Sequence, residues 1–109
     1  MLTEHVASQN VLASEARLSA EEIFERDMAL LKRSDGLIAE VSCASLGVGF
    51  EIATALHWEK PVLCLCDESV FLTRIITGNH DQRLLVSYYR AANDWQVAIN
   101  RFLEKLTSL

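Results

Sequence analysis

Three short apolar runs, at residues 36–41, 62–66 and 84–89, are set apart by stretches whose apolar residues recur at helical spacing, and this alternation constrains the fold more than anything else in the chain. Runs that short, with little polar alternation, read as strands covered on both faces. Residues 2–6 supply a further short strand. Ser19, followed three residues later by Glu22, has the spacing of a capping box, and Ile23, Phe24, Met28, Leu30 and Leu31 carry a helix on to Arg33. Lys32 and Arg33 suit the negative pole of its dipole. A second helix follows Ser45 and is closed by Glu59-Lys60-Pro61; a short third spans 70–77 and stops at Gly78-Asn79. Asn93 is expected to cap a last helix, in which Trp95, Ile99, Phe102, Leu103 and Leu106 form one apolar stripe, core or dimer surface. Strand then helix, four times over, is the pattern of an α/β protein: a doubly wound parallel sheet with helices on both faces and right-handed crossovers.

The chain has 109 residues, half of them hydrophobic, and a single proline, which is enough for one small domain spanning 1–109 without linker or repeat. Its net charge of −5, with no Lys/Arg cluster, argues against a nucleic-acid polymer as partner, since nothing would displace the counterions of the phosphate backbone. No apolar run reaches the roughly 18 to 20 residues that cross a bilayer, and no basic-then-apolar leader opens the chain. A cytoplasmic protein is therefore expected, or a nuclear one in a eukaryote, with no membrane partner. Cys43, Cys64 and Cys66 lack the paired spacings of a zinc site and read as buried, reduced thiols, so neither metal nor cofactor is expected.

The stretch Ala44-Ser45-Leu46-Gly47-Val48-Gly49-Phe50-Glu51 places a hydroxyl, two glycines and a carboxylate where the strand at 36–41 turns into a helix. Ligands of parallel α/β sheets bind beyond the carboxyl ends of the strands, where a helix N-terminus offers N–H groups and partial positive charge to an anion. Ser45 is placed to cap the helix or hold a phosphate, the glycines let a ligand approach the backbone, and Glu51, a turn further on, is placed to aim its carboxylate at the same pocket. The alternative is a capped helix and nothing more, since a cap and an early acid stabilise any helix by about 1 kcal/mol. Asp27 sits beside Ile23, Phe24 and Met28, which makes it a candidate for partial burial, or else an acid on a solvated face paired with Arg26. Glu40 reads as a strand-end residue facing solvent or capping, and His5 as a strand-end or pocket-rim residue.

Taken together, Ile23 to Asp27, Ser34 to Ser42, Ser45 to Glu51 and Lys60 to Leu65 resemble the 2′-deoxynucleoside 5′-phosphate N-hydrolases, the Rcl group of the nucleoside 2-deoxyribosyltransferase superfamily. The similarity starts at Leu2-Thr3-Glu4-His5-Val6-Ala7 and reaches the last strand. It implies a flavodoxin- or Rossmann-like fold and cleavage of the N-glycosidic bond between a base and deoxyribose 5-phosphate. Glu51 falls on the family's nucleophile, which attacks C1′ to give a covalent deoxyribosyl-enzyme that water opens in hydrolases and a second base opens in transferases. Asp27 falls on the second active-site carboxylate, and Ser45, Gly47 and Gly49 match the phosphate-binding turn, a pattern that favours monophosphates and hydrolysis over transfer. Thr73 aligns with a serine that reaches the phosphate from the neighbouring subunit, implying a homodimer.

Two departures from the family pattern stand out. The family opens with a strand and a glycine-rich loop that contacts base and phosphate, and neither is present here, so the fold is expected to be N-terminally truncated relative to the family. In a 2-1-3-4-5 strand order the missing strand would lie between 2–6 and 36–41, leaving an open apolar edge that a swapped or higher oligomer covers. The loop Cys66-Asp67-Glu68-Ser69 is acidic where the family has a longer, basic-containing one, which weakens phosphate binding. Alternatives to the hydrolase are a nucleoside 2-deoxyribosyltransferase and a catalytically impaired nucleotide-binding or interaction protein; this chain alone is expected to be weakly active or inactive.

Overall fold

The computed structural model describes residues 6–8, by backbone alone, and 18–107. In chain order the elements are β1 (Val6–Ser8), α1 (Ala20–Arg33), β2 (Gly36–Glu40), α2 (Leu46–His57), β3 (Val62–Asp67), α3 (Arg74–Thr77), β4 (Leu84–Tyr89) and α4 (Ala92–Thr107). The four strands form one parallel sheet in the order β1-β2-β3-β4, as the alternating sequence requires. β1 pairs with β2 from Val6↔Gly36 to Ser8↔Ile38, β2 with β3 from Leu37↔Val62 to Glu40↔Leu65, and β3 with β4 from Val62↔Leu84 to Asp67↔Tyr89. The gap expected between the first strand and β2 is therefore closed. β1 lies directly against β2, which satisfies backbone groups that a vacant position would have orphaned.

Strand alternation sorts the core into two layers. Leu37, Ala39, Val62, Cys64 and Leu84 face Leu31 of α1 and Ile52 and Ala55 of α2, with Ile76 of α3 against the same cluster. Leu63 and Leu65 point the other way, onto Phe102 of α4, joined by Ile38, Leu85, Ala98, Ile99 and Leu106. Helices thus cover both faces, and the predicted α4 stripe is core in its middle, whereas Trp95 is partly exposed.

The capping box forms as the sequence predicts: Ser19 Oγ accepts from Glu22 N at 3.1 Å, and Glu22 Oε1 accepts from Ser19 N at 3.0 Å. The far end of α1 is tied to the turn between α2 and β3, for Lys60 Nζ donates to the carbonyls of Lys32 and Ser34. That gives terminal helix carbonyls a cationic partner and explains why a lysine stands just before Pro61. Glu59 ends α2 with a φ of 61°, the left-handed turn that lets the chain reverse into β3.

Three local expectations are corrected. The strand expected at 2–6 is described only from Val6 onward, as Val6–Ser8, and residues 2–5, His5 among them, lie outside the described residues. The helix expected over 70–77 is only Arg74–Thr77, because Thr73 takes the N-cap, its Oγ1 accepting from Ile75 N at 3.4 Å. Asn93 does not cap α4 but lies within it. Asp94, in the first turn, instead reaches back over the helix start, its Oδ2 accepting from the N–H groups of Arg90 and Ala91 at 3.0 and 3.2 Å. Cys64 and Cys66 are buried as expected, but Cys43 is exposed, since the strand ends at Glu40 and leaves Cys43 in the loop.

Gly36 marks where the sheet and α4 press closest. A Cβ there would lie 3.1 Å from the Pro61 carbonyl oxygen and 3.2 Å from the Phe102 ring. Gly49, by contrast, has nothing within 4 Å of that position. Gly36→Ala is therefore expected to lower stability by about 1 to 3 kcal/mol through overpacking, whereas Gly49→Ala should raise it by about 0.5 to 1 kcal/mol through helix propensity. Urea unfolding of the two variants checks both signs.

Candidate active site

The carboxyl ends of β2 and β3 open onto the start of α2. Ser45 is its N-cap, with Oγ accepting from Val48 N at 3.3 Å and the backbone carbonyl accepting from Gly49 N at 3.1 Å. Gly47 and Gly49 follow in the first turn, and the space a side chain would fill there is open: Gly47 has only Ser45 Oγ near, at 3.9 Å. Neither glycine has a positive φ, so the backbone conformation does not demand them. What they leave is an open first turn: Val48 N and Gly49 N are already bonded to Ser45, and the N–H groups ahead of them, with the helix dipole, are left to meet an anion.

Across from this turn stands Thr73 at the head of α3, and the two caps face one groove of about 640 Å³. Ser45 and Gly49 line one wall, Thr73 and Ile76 the other, and Val41 and Ile52 lie between them. Large apolar side chains crowd the same region: Leu46, Phe50, Phe71 and Ile75 are all exposed.

The two predicted carboxylates lie on neighbouring helices, away from that groove. Glu51 is half-buried in the second turn of α2. Asp27 is half-buried in α1, its Oδ1 accepting from Arg26 Nε and Nη2 at 3.2 and 3.1 Å, so partial burial and the Arg26 pair both hold. α1 and α2 run side by side, Phe24 against Phe50 with ring centroids 6.2 Å apart and Lys32 over the Trp58 ring at 5.8 Å. That register sets Asp27 within about a turn of Glu51 along the helix pair. Among the described residues, neither carboxylate lines the groove that holds Ser45, Gly49 and Thr73.

A third cluster escaped the sequence reading. Glu40 ends β2, and its carboxylate accepts from Ser42 N at 2.8 Å, from Ser42 Oγ at 2.6 Å and from the Tyr89 hydroxyl. Ser42 Oγ in turn accepts from Asp67 N at 2.8 Å. Asp67 repeats the motif at the end of β3, its Oδ1 accepting from Ser69 N and Oγ at 2.9 and 2.8 Å. Acid-x-Ser at both strand ends, Glu40-Val41-Ser42 and Asp67-Glu68-Ser69, was the available signal. The partner Tyr89 lies 49 positions away from Glu40, and only the parallel register brings it near. Burial raises the Glu40 pKa, but the hydrogen bonds from Ser42 and Tyr89 outweigh burial and the nearby Asp67 charge and hold it below its ordinary 4.5. The same bond to Glu40 pushes the Tyr89 phenol up. Burial, then the neighbouring Cys66, pushes the Cys64 thiol up to about 11.

A family model described as nucleoside 2-deoxyribosyltransferase matches residues 2–100. A Methanosarcina barkeri protein provisionally named 2′-deoxynucleoside 5′-phosphate N-hydrolase 1 is 40% identical over 103 residues, covering 94% of this chain and 65% of the relative. A Thermofilum pendens protein of the same provisional name is 54% identical over 65 residues, 60% of this chain and 45% of the relative. The mouse 5-hydroxymethyl-dUMP N-hydrolase is 34% identical over 108 residues, 95% of this chain and 62% of the relative. The chain thus spans between 45% and 65% of the length of these relatives.

Two measurements check the local chemistry. Because the folded-state pKa of Glu40 is lowered, its stabilisation is present above the ordinary 4.5 and disappears as pH falls through the depressed value. Tyr89→Phe removes one donor, so a carboxyl-detected NMR titration should show the Glu40 pKa rising toward 4.5; an unchanged value would contradict the bond. A thiol reagent should modify Cys43 in the native protein, and Cys64 and Cys66 only after urea unfolding.

Proposed function

This chain belongs to the nucleoside 2-deoxyribosyltransferase family, and from that premise we propose that residues 1–109 form one domain of an enzyme that hydrolyses 2′-deoxynucleoside 5′-monophosphates to the base and deoxyribose 5-phosphate, with the chain alone weakly active. The observation that carries this reading is the pairing of two hydroxyl caps, Ser45 and Thr73, across one groove at the bare glycine turn of α2. Such a turn suits a phosphate dianion, because backbone N–H groups and the helix dipole supply donors and positive potential without a metal or cofactor. The names of the relatives, both monophosphate N-hydrolases, point to the same substrate class.

In this reading the phosphate docks at Ser45, Gly47 and Gly49, with Thr73 of the same chain adding a hydroxyl, whereas the resemblance implies one from the neighbouring subunit. The sugar then has to extend from the docked phosphate out of the groove to reach Glu51, which attacks C1′ as the C1′–N bond breaks, forming a glycosyl ester, while the departing base takes a proton from Asp27. Water then attacks C1′ and returns a proton to Asp27, Glu51 leaves as carboxylate, and deoxyribose 5-phosphate is released. The Arg26 contact keeps Asp27 close to a cation, so its role here is to orient sugar or base as well as to move a proton. The exposed Leu46, Phe50, Phe71 and Ile75 around the groove support a homodimer that covers them. A second reading, a nucleotide-binding protein without turnover, draws on the Arg26–Asp27 pair, which competes for the proton-relaying carboxylate.

Incubation of the chain with each deoxynucleoside 5′-monophosphate, with base release followed by chromatography, separates the readings. The hydrolase reading expects release that falls by at least about a thousandfold in Glu51→Ala while the variant still binds the nucleotide. Release that survives the substitution would remove Glu51 from the mechanism, and binding without release in the unmodified chain would favour the second reading.

A further inference from the structure

We propose that Glu40, Ser42 and Tyr89 form a brace that positions the phosphate turn, so that anion affinity at Ser45 and Gly47 depends on a hydrogen-bonded cluster that does not itself touch the ligand. The inference rests on reading that turn as a phosphate site. Only five residues, 41–45, connect β2 to α2, and they divide into an anchored half and a working half. In the anchored half Val41 N donates to the Leu65 carbonyl at 2.8 Å, Ser42 N and Oγ both donate to Glu40, and Ser42 Oγ accepts from Asp67 N. In the working half Cys43, Ala44 and Ser45 line the groove.

Strand alternation puts the brace behind the turn. Ile38 and Leu65 pack toward α4, so Glu40, Asp67 and Tyr89, at matching parity on their strands, extend from that face, whereas α2 and its N-terminus cover the opposite one. Glu40 therefore reaches the site through Ser42 and the loop. One carboxylate joins the carboxyl ends of β2 and β4, and Ser42 Oγ adds β3, so three strands hold two consecutive loop residues. A helix N-terminus binds an anion through several directed N–H bonds at once, and displacement of the turn weakens all of them together.

The test uses the full chain and two probes, inorganic phosphate and deoxyribose 5-phosphate, with backbone amide shifts of Gly47 and Gly49 as the readout. Ser42→Ala deletes the donor to Glu40 and the acceptor for Asp67 N, and should weaken both probes about tenfold, the scale of one lost bond to a charged group. Ser42→Thr keeps the hydroxyl and should restore affinity to within about twofold. Tyr89→Phe, which keeps the ring, should weaken both probes by about threefold. If the unmodified chain binds and all three variants bind equally well, the brace is overturned while the phosphate reading stands, and a lowered urea midpoint with unchanged affinity overturns it in the same way. If neither probe moves Gly47 or Gly49 in the unmodified chain, the phosphate reading itself fails and takes the brace with it.

Discussion

The parallel ladder between β2 and β3 sets the place of every candidate functional residue. Its four register pairs, Leu37↔Val62 to Glu40↔Leu65, bring the ends of both strands to one edge, and each strand is covered on both faces by apolar side chains. A one-residue slip of β2 would exchange its two faces, putting Ala39 toward α4 and Ile38 toward α1 and α2. With the ladder fixed, the five-residue loop after Glu40 can start α2 only just beyond the sheet edge. There the first turn of α2 meets Thr73 across the groove.

The fold was legible wherever local chemistry determines it. Ser19 and Glu22 specified a helix start that forms bond for bond, and the apolar runs specified three strands to within a residue at their ends. Misreadings cluster where two local signals compete. At the head of α4, Asn93 and Asp94 both fall inside the first turn, and it is the Asp94 carboxylate that ties the helix start down by reaching back to two N–H groups. At 70–77, Thr73 offered a cap in the middle of an apolar stretch and cut the helix to its last four residues. The position of β1 was illegible for a different reason. A strand order taken from relatives left a vacancy beside β2, while backbone pairing fills it with the strand at hand.

The site was legible in part. Ser45, Gly47 and Gly49 were legible as the start of a helix, because a serine before two glycines at a strand-to-helix junction caps the helix whether or not it also holds a ligand. Thr73 could be tied to them only by resemblance, since 28 positions separate it from Ser45, yet both line the same groove. Glu40 and Tyr89 illustrate the opposite limit. Each looks ordinary in sequence, and only a register that sets Asp67 opposite Tyr89 and Glu40 opposite Leu65 lets the phenol reach the carboxylate. The exposed thiol of Cys43 belongs here too. Its burial was inferred from residue type, but strand end and loop geometry, not hydrophobicity, decide its exposure.

The central claim is that Glu51 forms a covalent bond to C1′, and mass analysis of the trapped enzyme addresses it most directly. A 2′-fluoro-arabino analogue of a deoxynucleoside monophosphate carries an electron-withdrawing fluorine that slows opening of the glycosyl ester, so the adduct should accumulate. The account predicts one sugar phosphate per chain, on the peptide that contains Glu51, absent from Glu51→Ala. Base release with no adduct, or an adduct mapped to Asp27, Glu40 or another carboxylate, would contradict it.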